Sequence, residues 1–381
     1  MIEAEEDFRG IPQGPDLLDT TLRDGEQSPG LYFTDEEKAE LACRLDALGV
    51  AVIEAGIPGM GSAEQGALRR LARLPLRAEI LAWNRLDRSD VRASLEAGVR
   101  HVHVSVPTSR QQLERKLGKN LDWVKTRMEE VIGFARAEGL SVSLGAEDAS
   151  RSDETDVAAV FHHAEDLGVR RVRYADTLGV MTPERAAGVM RRLSGALSIP
   201  IDFHGHNDFG LAGANALAAW RGGASVVSCS LLGLGERAGN TTLEEFVGAA
   251  HFLYGAYAGY DFVALRGACE SAAGMCGRPF SPQKPLFGRD VFRHESGIHV
   301  DGILKDPGNY EPFPPERVGG RRDLVVGKHS GKAALKFLAS ALGESLSDLG
   351  AAEFLNALRG RMAAEKGVDA QGMFSNFLHI H

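Results

Sequence analysis

Cysteines are scarce in this chain. Its 381 residues include only four, Cys43, Cys229, Cys269 and Cys276, and no two of them form a C-x-x-C pair. This usage argues against a disulfide-rich secreted domain and is typical of reduced, mostly buried thiols. The sequence also shows no secretory leader pattern and no apolar run long enough to span a bilayer. We therefore expect a cytoplasmic protein without a membrane partner.

A basic cluster is also missing. The formal net charge is -9, and no run of lysine and arginine stands out. This balance argues against nucleic acid as a partner and against an anionic membrane surface. Hydrophobic residues make up 44% and charged residues 25%, which is ordinary for a globular protein with a sizeable core. We expect small-molecule substrates, and no nucleic-acid partner.

The chain does contain a regular alternation of short apolar runs with longer helical patterns. Helix starts are marked by Thr34, by Ser89, and by Thr182 followed by Pro183. The predicted strands are residues 16–19, 50–54, 78–82, 101–105, 141–145, 171–175, 201–204 and 225–228. Eight strand–helix units in about 250 residues predict an α/β fold of the closed (β/α)8 TIM-barrel type. The alternative is a doubly wound open sheet, but no G-x-G-x-x-G follows the first strand.

The alternation stops near residue 255. Beyond it, helical patterns cover 262–275, 331–342 and 351–366, separated by loops rich in Gly, Pro and His. The predicted domains are an acidic N-terminal tail at 1–15, the barrel at 16–255 and a mainly helical C-terminal subdomain at 256–381.

Two stretches, each at a predicted strand end, indicate one metal site. The sequence DTTLRDGEQ occupies 19–27, and HGHND occupies 204–208. Side chains alternate along a strand, so His204 and His206 lie on the same face. Together with Asp24 they offer two imidazoles and a carboxylate, which suit Zn, Mn, Co or Mg. An H-x-H pattern alone is more often structural, and the prediction depends on the two stretches together.

Many polar residues follow the predicted strands, as the active-site rule for barrels requires. Capping a helix or bonding to loop backbone is the alternative for any single one of them, and for Asp148, Asp176 and Thr177 it explains the residue equally well. They are Arg23, Asp24, Glu26, Gln27, Glu54, Asn84, Arg85, Thr108, Glu147, Asp148, Asp176, Thr177, His204, His206, Glu236, Arg237 and Asn240.

These motifs carry a family resemblance. DTTLRDGEQ, HGHND and the LGLGERAGN stretch at 232–240 resemble the DRE-TIM metallolyase superfamily. HESGIH at 294–299 and GKHSG at 327–331 resemble its Claisen-condensing branch, the isopropylmalate, citramalate and homocitrate synthases. The resemblance runs from about residue 17 to about 342. The stretches AWNR, which ends at Arg85, and GAEDASR, which begins at Gly145, are most similar to nitrogenase-associated homocitrate synthases.

The resemblance implies an activity. Acetyl-CoA would condense with 2-oxoglutarate to give homocitrate and CoA, at a divalent metal ion. Isopropylmalate, citramalate and Re-citrate synthase remain alternatives, although we expect no room for the long leucine-sensing domain of isopropylmalate synthases. The alternative outside these enzymes is a non-catalytic barrel that only binds a metabolite.

The resemblance also assigns residues. It gives the metal Asp24, His204 and His206, with Asn240 at or near it, and makes Arg23 the stabiliser of charge on the ketone oxygen. His299 and Tyr310 would supply an acid–base pair from the C-terminal subdomain, reaching the neighbouring active site of a homodimer. The remaining assigned residues are Glu147 as catalytic, and Glu26, Gln27, Glu54, Arg85 and Thr177 as substrate-binding.

One departure bears on substrate choice. Lysine-pathway homocitrate synthases carry an arginine where this chain has Ser143 and a histidine where it has Arg85. In those enzymes the arginine helps to bind the distal carboxylate of 2-oxoglutarate. We expect Arg85 to bind this carboxylate here, because guanidinium binds carboxylate in a bidentate manner. The alternative is that Arg85 is a solvated surface arginine.

Overall fold

Eight parallel strands form a closed barrel in the computed structural model, which describes residues 14–380. Each strand is hydrogen-bonded to its neighbours in chain order, and β8 closes the barrel against β1. The strands are β1 (Asp16–Asp19), β2 (Val52–Gly56), β3 (Glu79–Arg85), β4 (His101–Pro107), β5 (Ser141–Glu147), β6 (Arg171–Asp176), β7 (Ile201–Gly205) and β8 (Val226–Cys229). The predicted TIM barrel is confirmed, and the open-sheet alternative is wrong.

Helices follow the strands. Those predicted to start at Thr34 and Thr182 begin at these caps, whereas the helix predicted to start at Ser89 begins at Arg88 and is capped by Asp87, whose side chain accepts the Ser89 backbone N–H. The Thr34 side chain accepts a hydrogen bond from the Glu37 backbone in a reciprocal capping box. The Thr182 side chain accepts the Arg185 backbone N–H and caps the helix that starts at Pro183. The helices are α1 (Asp35–Ala47), α2 (Ser62–Leu71), α3 (Arg88–Glu96), α4 (Leu121–Ala137), α5 (Glu154–Asp166), α6 (Pro183–Ala196), α7 (Ala212–Arg221) and α8 (Leu243–Tyr254).

The barrel interior contains an apolar cluster and a network of buried charges. The apolar cluster joins residues of β1, β2, β3 and β8: Leu18, Val52, Leu81 and Val226. In the charged network, the buried guanidinium of Arg173 on β6 lies 2.8 Å from Glu54 on β2 and 2.5 Å from Asp202 on β7. Buried charges are tolerated only when they are paired, so these ion pairs are part of the barrel's core.

The chain divides into two compact units after Pro279. The sequence pattern put this division at residue 255, but the next helix, α9 (Phe262–Cys276), buries its apolar face within the barrel unit and contacts α1. The predicted acidic tail lies almost wholly outside the described residues, which begin at Gly14.

The C-terminal unit is mainly helical, as predicted. It contains the short parallel strands β9 (Arg293–His294) and β10 (Asp323–Leu324), and the helices α10 (Gly297–Lys305), α11 (Lys332–Ala341), α12 (Asp348–Ala364) and α13 (Ala370–Ile380). Its own apolar core includes Leu335, Phe354 and Phe374, all almost fully buried. Among residues 14–380, none of the helices has the length and apolar character that a bilayer crossing needs.

Candidate metal centre and active site

Three predicted ligands converge at the carboxyl end of the barrel. The Asp24 Oδ2 atom lies 3.1 Å from His204 Nε2 and 3.9 Å from His206 Nε2, and the two Nε2 atoms are 3.2 Å apart. His204 lies in β7, His206 directly follows that strand, and Asp24 lies in the loop after β1. All three side chains are buried. This donor set matches a divalent cation.

Unpaired buried atoms at the same place support this reading. Among the described residues, Oδ1 of Asp24 has no hydrogen-bond partner, and neither has Oδ1 of Asn240. Asn240 donates its Nδ2 to the Leu234 carbonyl at 2.9 Å and is joined to His206 by a backbone bridge. An unsatisfied buried acceptor costs about 1–3 kcal/mol, so these oxygens need a partner. The residues present therefore fit a metal ion, with Asn240 as a proposed fourth donor.

Asp24 and His206 are held in the protonation states that metal binding requires. Burial raises the pKa of Asp24, but the charge of Arg23 and the hydrogen bond from His204 outweigh burial and hold that pKa well below its usual range. Burial, aided by the neighbouring His204, lowers the pKa of His206 to about 3. At neutral pH the Asp24 carboxylate is therefore charged and the His206 imidazole is neutral.

Arg23 is fixed beside this cluster. Its Nε donates to the Glu54 carboxylate, its Nη1 donates to Gln27 Oε1 at 3.3 Å, and its guanidinium lies 5.8 Å from the centre of the Trp83 ring. Burial raises the pKa of Glu54, but the charges of Arg173 and Arg23 outweigh burial and keep that pKa below its usual range. Glu54 therefore acts on Arg23 as a charged, buried anchor.

Glu26 is engaged with its own loop and helix. Its Oε1 accepts the Phe33 backbone N–H at 2.8 Å, and its Oε2 lies 2.7 Å from the buried ammonium of Lys38. These contacts tie the loop after β1 to helix α1. A role of Glu26 in substrate binding stays a prediction.

A cavity of about 660 Å³ opens over the metal ligands. Such volumes are typical of small-molecule sites. Glu26, Glu54 and Asn240 are not part of its wall. The predicted site residues that line it are Arg23, Asp24, Gln27, Arg85, Glu147, Thr177, His204 and His206.

Arg85 is already paired within the wall. Its Nε and Nη2 donate to the two carboxylate oxygens of Asp90 at 2.8 and 2.7 Å, and its backbone N–H also donates to Asp90. The Arg85 side chain is 66% exposed, whereas that of Asp90 is 3% exposed. The two guanidinium donors that were expected to bind the substrate carboxylate are therefore bonded to Asp90. Binding of substrate by Arg85 stays a prediction.

Glu147 and Thr177 are also held by neighbours. Gln112 donates to Glu147 Oε1 at 2.8 Å, and the Lys116 ammonium lies 3.9 Å from the same oxygen. Thr177 Oγ1 accepts the Asp148 backbone N–H at 2.8 Å, which leaves the hydroxyl proton of Thr177 available to a ligand.

His299 and Tyr310 lie together in the C-terminal unit. Their ring centres are 4.3 Å apart. Gly302, one helical turn after His299, makes the arrangement possible, because a Cβ there would lie 2.5 Å from the Tyr310 ring. The two rings are therefore in contact, and their role as an acid–base pair stays a prediction.

Three buried polar residues inside the barrel were not among the predicted site residues: His103, Arg173 and Asp202. His103 bonds through Nδ1 to Ser143 Oγ at 2.9 Å and lines the cavity, as does Arg173, which is paired with Asp202. All three lie within strands rather than past their ends, where barrel active sites draw most of their residues. The signal was the alternation in HVHV and in RVRYAD, which puts histidine and arginine on inward faces.

Comparison with protein-family models shows which family this chain matches. The HMGL-like family model matches residues 14–270, which is most of the chain, and a homocitrate synthase post-HMGL domain-like model matches 286–366. The chain belongs to the HMGL-like family. It is thereby a member of the DRE-TIM superfamily, as its motifs indicated. Enzymes of this family use a divalent metal and acetyl-CoA, which agrees with the cluster of Asp24, His204 and His206.

The relatives of this HMGL-like chain are synthases. A 2-isopropylmalate synthase from Caldanaerobacter subterraneus is 46% identical over 84% of this chain and 83% of its own length. A homocitrate synthase from Nostoc is 43% identical over 92% of this chain and 93% of its own. A citramalate synthase from Methanocaldococcus jannaschii is 40% identical over 87% and 68%. The HMGL-like chain is therefore an enzyme of the acyltransferase class.

Solved structures agree on the fold. An HMG-CoA lyase from Brucella melitensis superposes with a TM-score of 0.61 at 21% identity, covering 70% of this chain and 99% of its own. One from Pseudomonas aeruginosa has a TM-score of 0.61 at 26% identity, covering 71% and 95%.

Proposed function

We propose that this HMGL-like enzyme condenses acetyl-CoA with 2-oxoglutarate to give homocitrate and CoA, by a Claisen condensation followed by thioester hydrolysis. One observation carries the proposal: the cluster of Asp24, His204 and His206 lies beside Arg23 in one cavity, in a chain whose relatives are synthases of this kind. The geometry supports a site for a 2-oxo acid. In this proposal Arg23 would supply a positive charge to the ketone oxygen as it becomes negative.

The barrel residues have separate tasks in this proposal. A divalent ion on Asp24, His204 and His206 would supply Lewis-acid polarisation of the substrate ketone. Arg23 would donate to the oxygen on which negative charge develops, and its anchoring by Glu54 means that little reorganisation is needed. Gln27 and Thr177 are exposed to the cavity and would orient the substrates.

The acid–base step requires a group that removes a proton from the acetyl methyl, which is a weak carbon acid. We assign this step to His299 with Tyr310, supported by their ring contact and by the resemblance of HESGIH to the condensing branch. Glu147 completes the proposed catalytic set, with Gln112 fixing its carboxylate.

The assembly and pathway are further parts of the proposal. We propose a homodimer in which the C-terminal unit of one copy supplies His299 to the active site of the other. We propose that the enzyme is cytoplasmic and that its product serves nitrogen fixation. The pathway rests on the AWNR and GAEDASR stretches, which are most similar to nitrogenase-associated homocitrate synthases.

The oxo-acid preference is directly measurable. In a thiol-release assay with acetyl-CoA, we expect kcat/KM for 2-oxoglutarate to exceed that for 2-oxoisovalerate and pyruvate by about 100-fold or more. The reason is that a site that pairs a substrate carboxylate leaves its own charges unpaired when an analogue lacks that carboxylate.

Other outcomes have definite meanings, because the relatives include isopropylmalate and citramalate synthases. The highest kcat/KM with 2-oxoisovalerate would make the chain an isopropylmalate synthase, with pyruvate a citramalate synthase, and with oxaloacetate a Re-citrate synthase. If none of these acids gives thiol release, the alternative of a non-catalytic barrel that only binds a metabolite would be favoured.

Gly302 tests the His299–Tyr310 pair. The Gly302→Ala substitution puts a Cβ about where the Tyr310 ring now lies, so the ring must move away from His299. We expect kcat to fall roughly 10- to 100-fold through this displacement. The melting temperature should change little, because alanine favours the helix and offsets part of the clash.

The matched control is Gly267→Ala on α9, where a new Cβ meets no atom within 4 Å. It should leave kcat unchanged. Equal activity of the two variants would contradict a role for the Tyr310 ring.

A further inference from the structure

A buried arginine inside the barrel has one donor without a partner. Arg173 is paired on two sides, with Glu54 at 2.8 Å and with Asp202 at 2.5 Å. Its Nη2 has no hydrogen-bond partner among the described residues, although the side chain is only 3% exposed. A buried guanidinium donor normally has an acceptor. Arg173 therefore has one guanidinium donor that the described protein atoms leave unsatisfied.

The position of Arg173 relates it to the substrate. Arg173 lines the cavity that contains the metal ligands. On the adjacent strands, the Cα of Ala175 is paired with His204 and that of Arg173 with Asp202. Arg173 thus lies one inward-facing layer below the metal ligands, a step of two residues or roughly 6–7 Å along the strand. A 2-oxo acid with its ketone at the ligands and two methylenes beyond it would place a second carboxylate at this depth.

The surrounding wall leaves room at that layer. The inward residues of β4, β5 and β6 next to Arg173 are small where they line the cavity: Ser105, Gly145 and Ala175. At Gly145 any side chain is excluded, since a Cβ would lie 2.4 Å from the His103 imidazole. Ser105 and Ala175 are therefore the small residues that leave space beside Arg173, whereas the His103 imidazole fills the space at Gly145.

Each of the other arginines and lysines of the cavity wall also lies beside a carboxylate. Arg23 contacts Glu54 and is needed at the ketone oxygen, Arg85 is bidentate on Asp90, and Lys116 lies 3.9 Å from Glu147. Within residues 14–380, Arg173 is therefore the cavity-lining arginine that combines full burial with a donor left over.

We propose that Arg173 recognises the distal carboxylate of a dicarboxylic 2-oxo acid and is the specificity-determining residue of this enzyme. The inference rests on the proposed condensation and deepens it, because it names the side chain that selects a dicarboxylate. Glu54 then has two functions: it anchors Arg23 at the ketone end and Arg173 at the carboxylate end of one substrate.

The test compares 2-oxoglutarate with 2-oxopentanoate, in which a methyl group replaces the distal carboxylate. Arg173→Lys keeps the charge beside Glu54 and Asp202 but loses the guanidinium fork. We expect the ratio of kcat/KM for the two acids to fall about 10- to 100-fold, through a higher KM for 2-oxoglutarate, with 2-oxopentanoate little affected. Arg173→Gln is the second variant and is used if the lysine variant does not fold.

Arg171→Lys is the matched control. Arg171 is a buried arginine on the same inward face of β6, and it also has an unpartnered Nη2, but it does not line the cavity. This control should leave the substrate ratio unchanged. Metal content and melting temperature, measured for every variant, separate loss of the fold from loss of recognition.

Three outcomes would overturn the inference. An equal loss with both acids in Arg173→Lys would give Arg173 a purely structural role. A ratio that collapses in Arg85→Ala but not in Arg173→Lys would assign recognition to Arg85. A wild-type enzyme that prefers a monocarboxylic acid would overturn the proposed function and the inference with it, and the wild type alone would show this.

Discussion

Replacing His204 by alanine is expected to remove metal binding and turnover together. His204 Nε2 lies 3.1 Å from Asp24 and 3.2 Å from His206 Nε2, so its loss leaves two of the three converging donors. Loss of residues that merely orient metal ligands typically costs about 10- to 100-fold in affinity, and loss of a ligand should cost more. Metal content by elemental analysis and kcat by thiol release measure the two effects.

Thermal unfolding gives an independent readout. A metal that binds only the folded state raises the melting temperature, so EDTA should lower it in the wild type and have no effect on His204→Ala. Asp208→Asn is the control: Asp208 belongs to the same HGHND stretch but pairs with Arg237 at 2.7 Å and should keep its metal. A His204→Ala variant with full metal occupancy and full turnover would refute the assignment.

The second large effect is expected for His299→Ala. If His299 takes part in proton transfer, kcat should fall by about 100- to 10,000-fold while 2-oxo acid binding remains near normal. Lys305→Ala is the control on the same helix, because Lys305 is exposed and forms only a surface pair with Asp301. Near wild-type turnover from His299→Ala would remove His299 from the mechanism.

The same variant tests the proposed dimer. If His299 serves the neighbouring copy, His204→Ala and His299→Ala are each inactive alone, but a mixed dimer has one active site with both histidines. Co-refolded or co-expressed mixtures should then recover about a quarter of wild-type activity. No recovery from a mixture shown to contain heterodimers would place both histidines in one copy.

The metal cluster shows what local sequence determines. The alternation of side chains along a strand is by itself enough to put His204 and His206 on one face of β7. The strand count predicted the barrel, because eight strand–helix units can bury their apolar faces by closing on themselves. The barrel rule then brought Asp24 from β1 to the same mouth. The family motifs added the class of reaction, which the comparisons confirm.

Arg85 and Arg173 show what only the tertiary structure decided. Sequence spacing put Arg85 at a strand end but did not reveal that Asp90 takes up its bidentate face. Arg173 lies within a strand that reads as buried, and its importance depends on Glu54 on β2 and on Asp202, which is 29 residues further along the chain.

The domain boundary after Pro279 was likewise decided only by the tertiary structure. Helix α9 is amphipathic in sequence, and only its packing within the barrel unit determines where it belongs. Periodicity along the chain depends on nearest neighbours and can be read from the sequence. Pairing of a buried charge and docking of an amphipathic face depend on residues far apart in sequence, and the barrel must close before these residues meet.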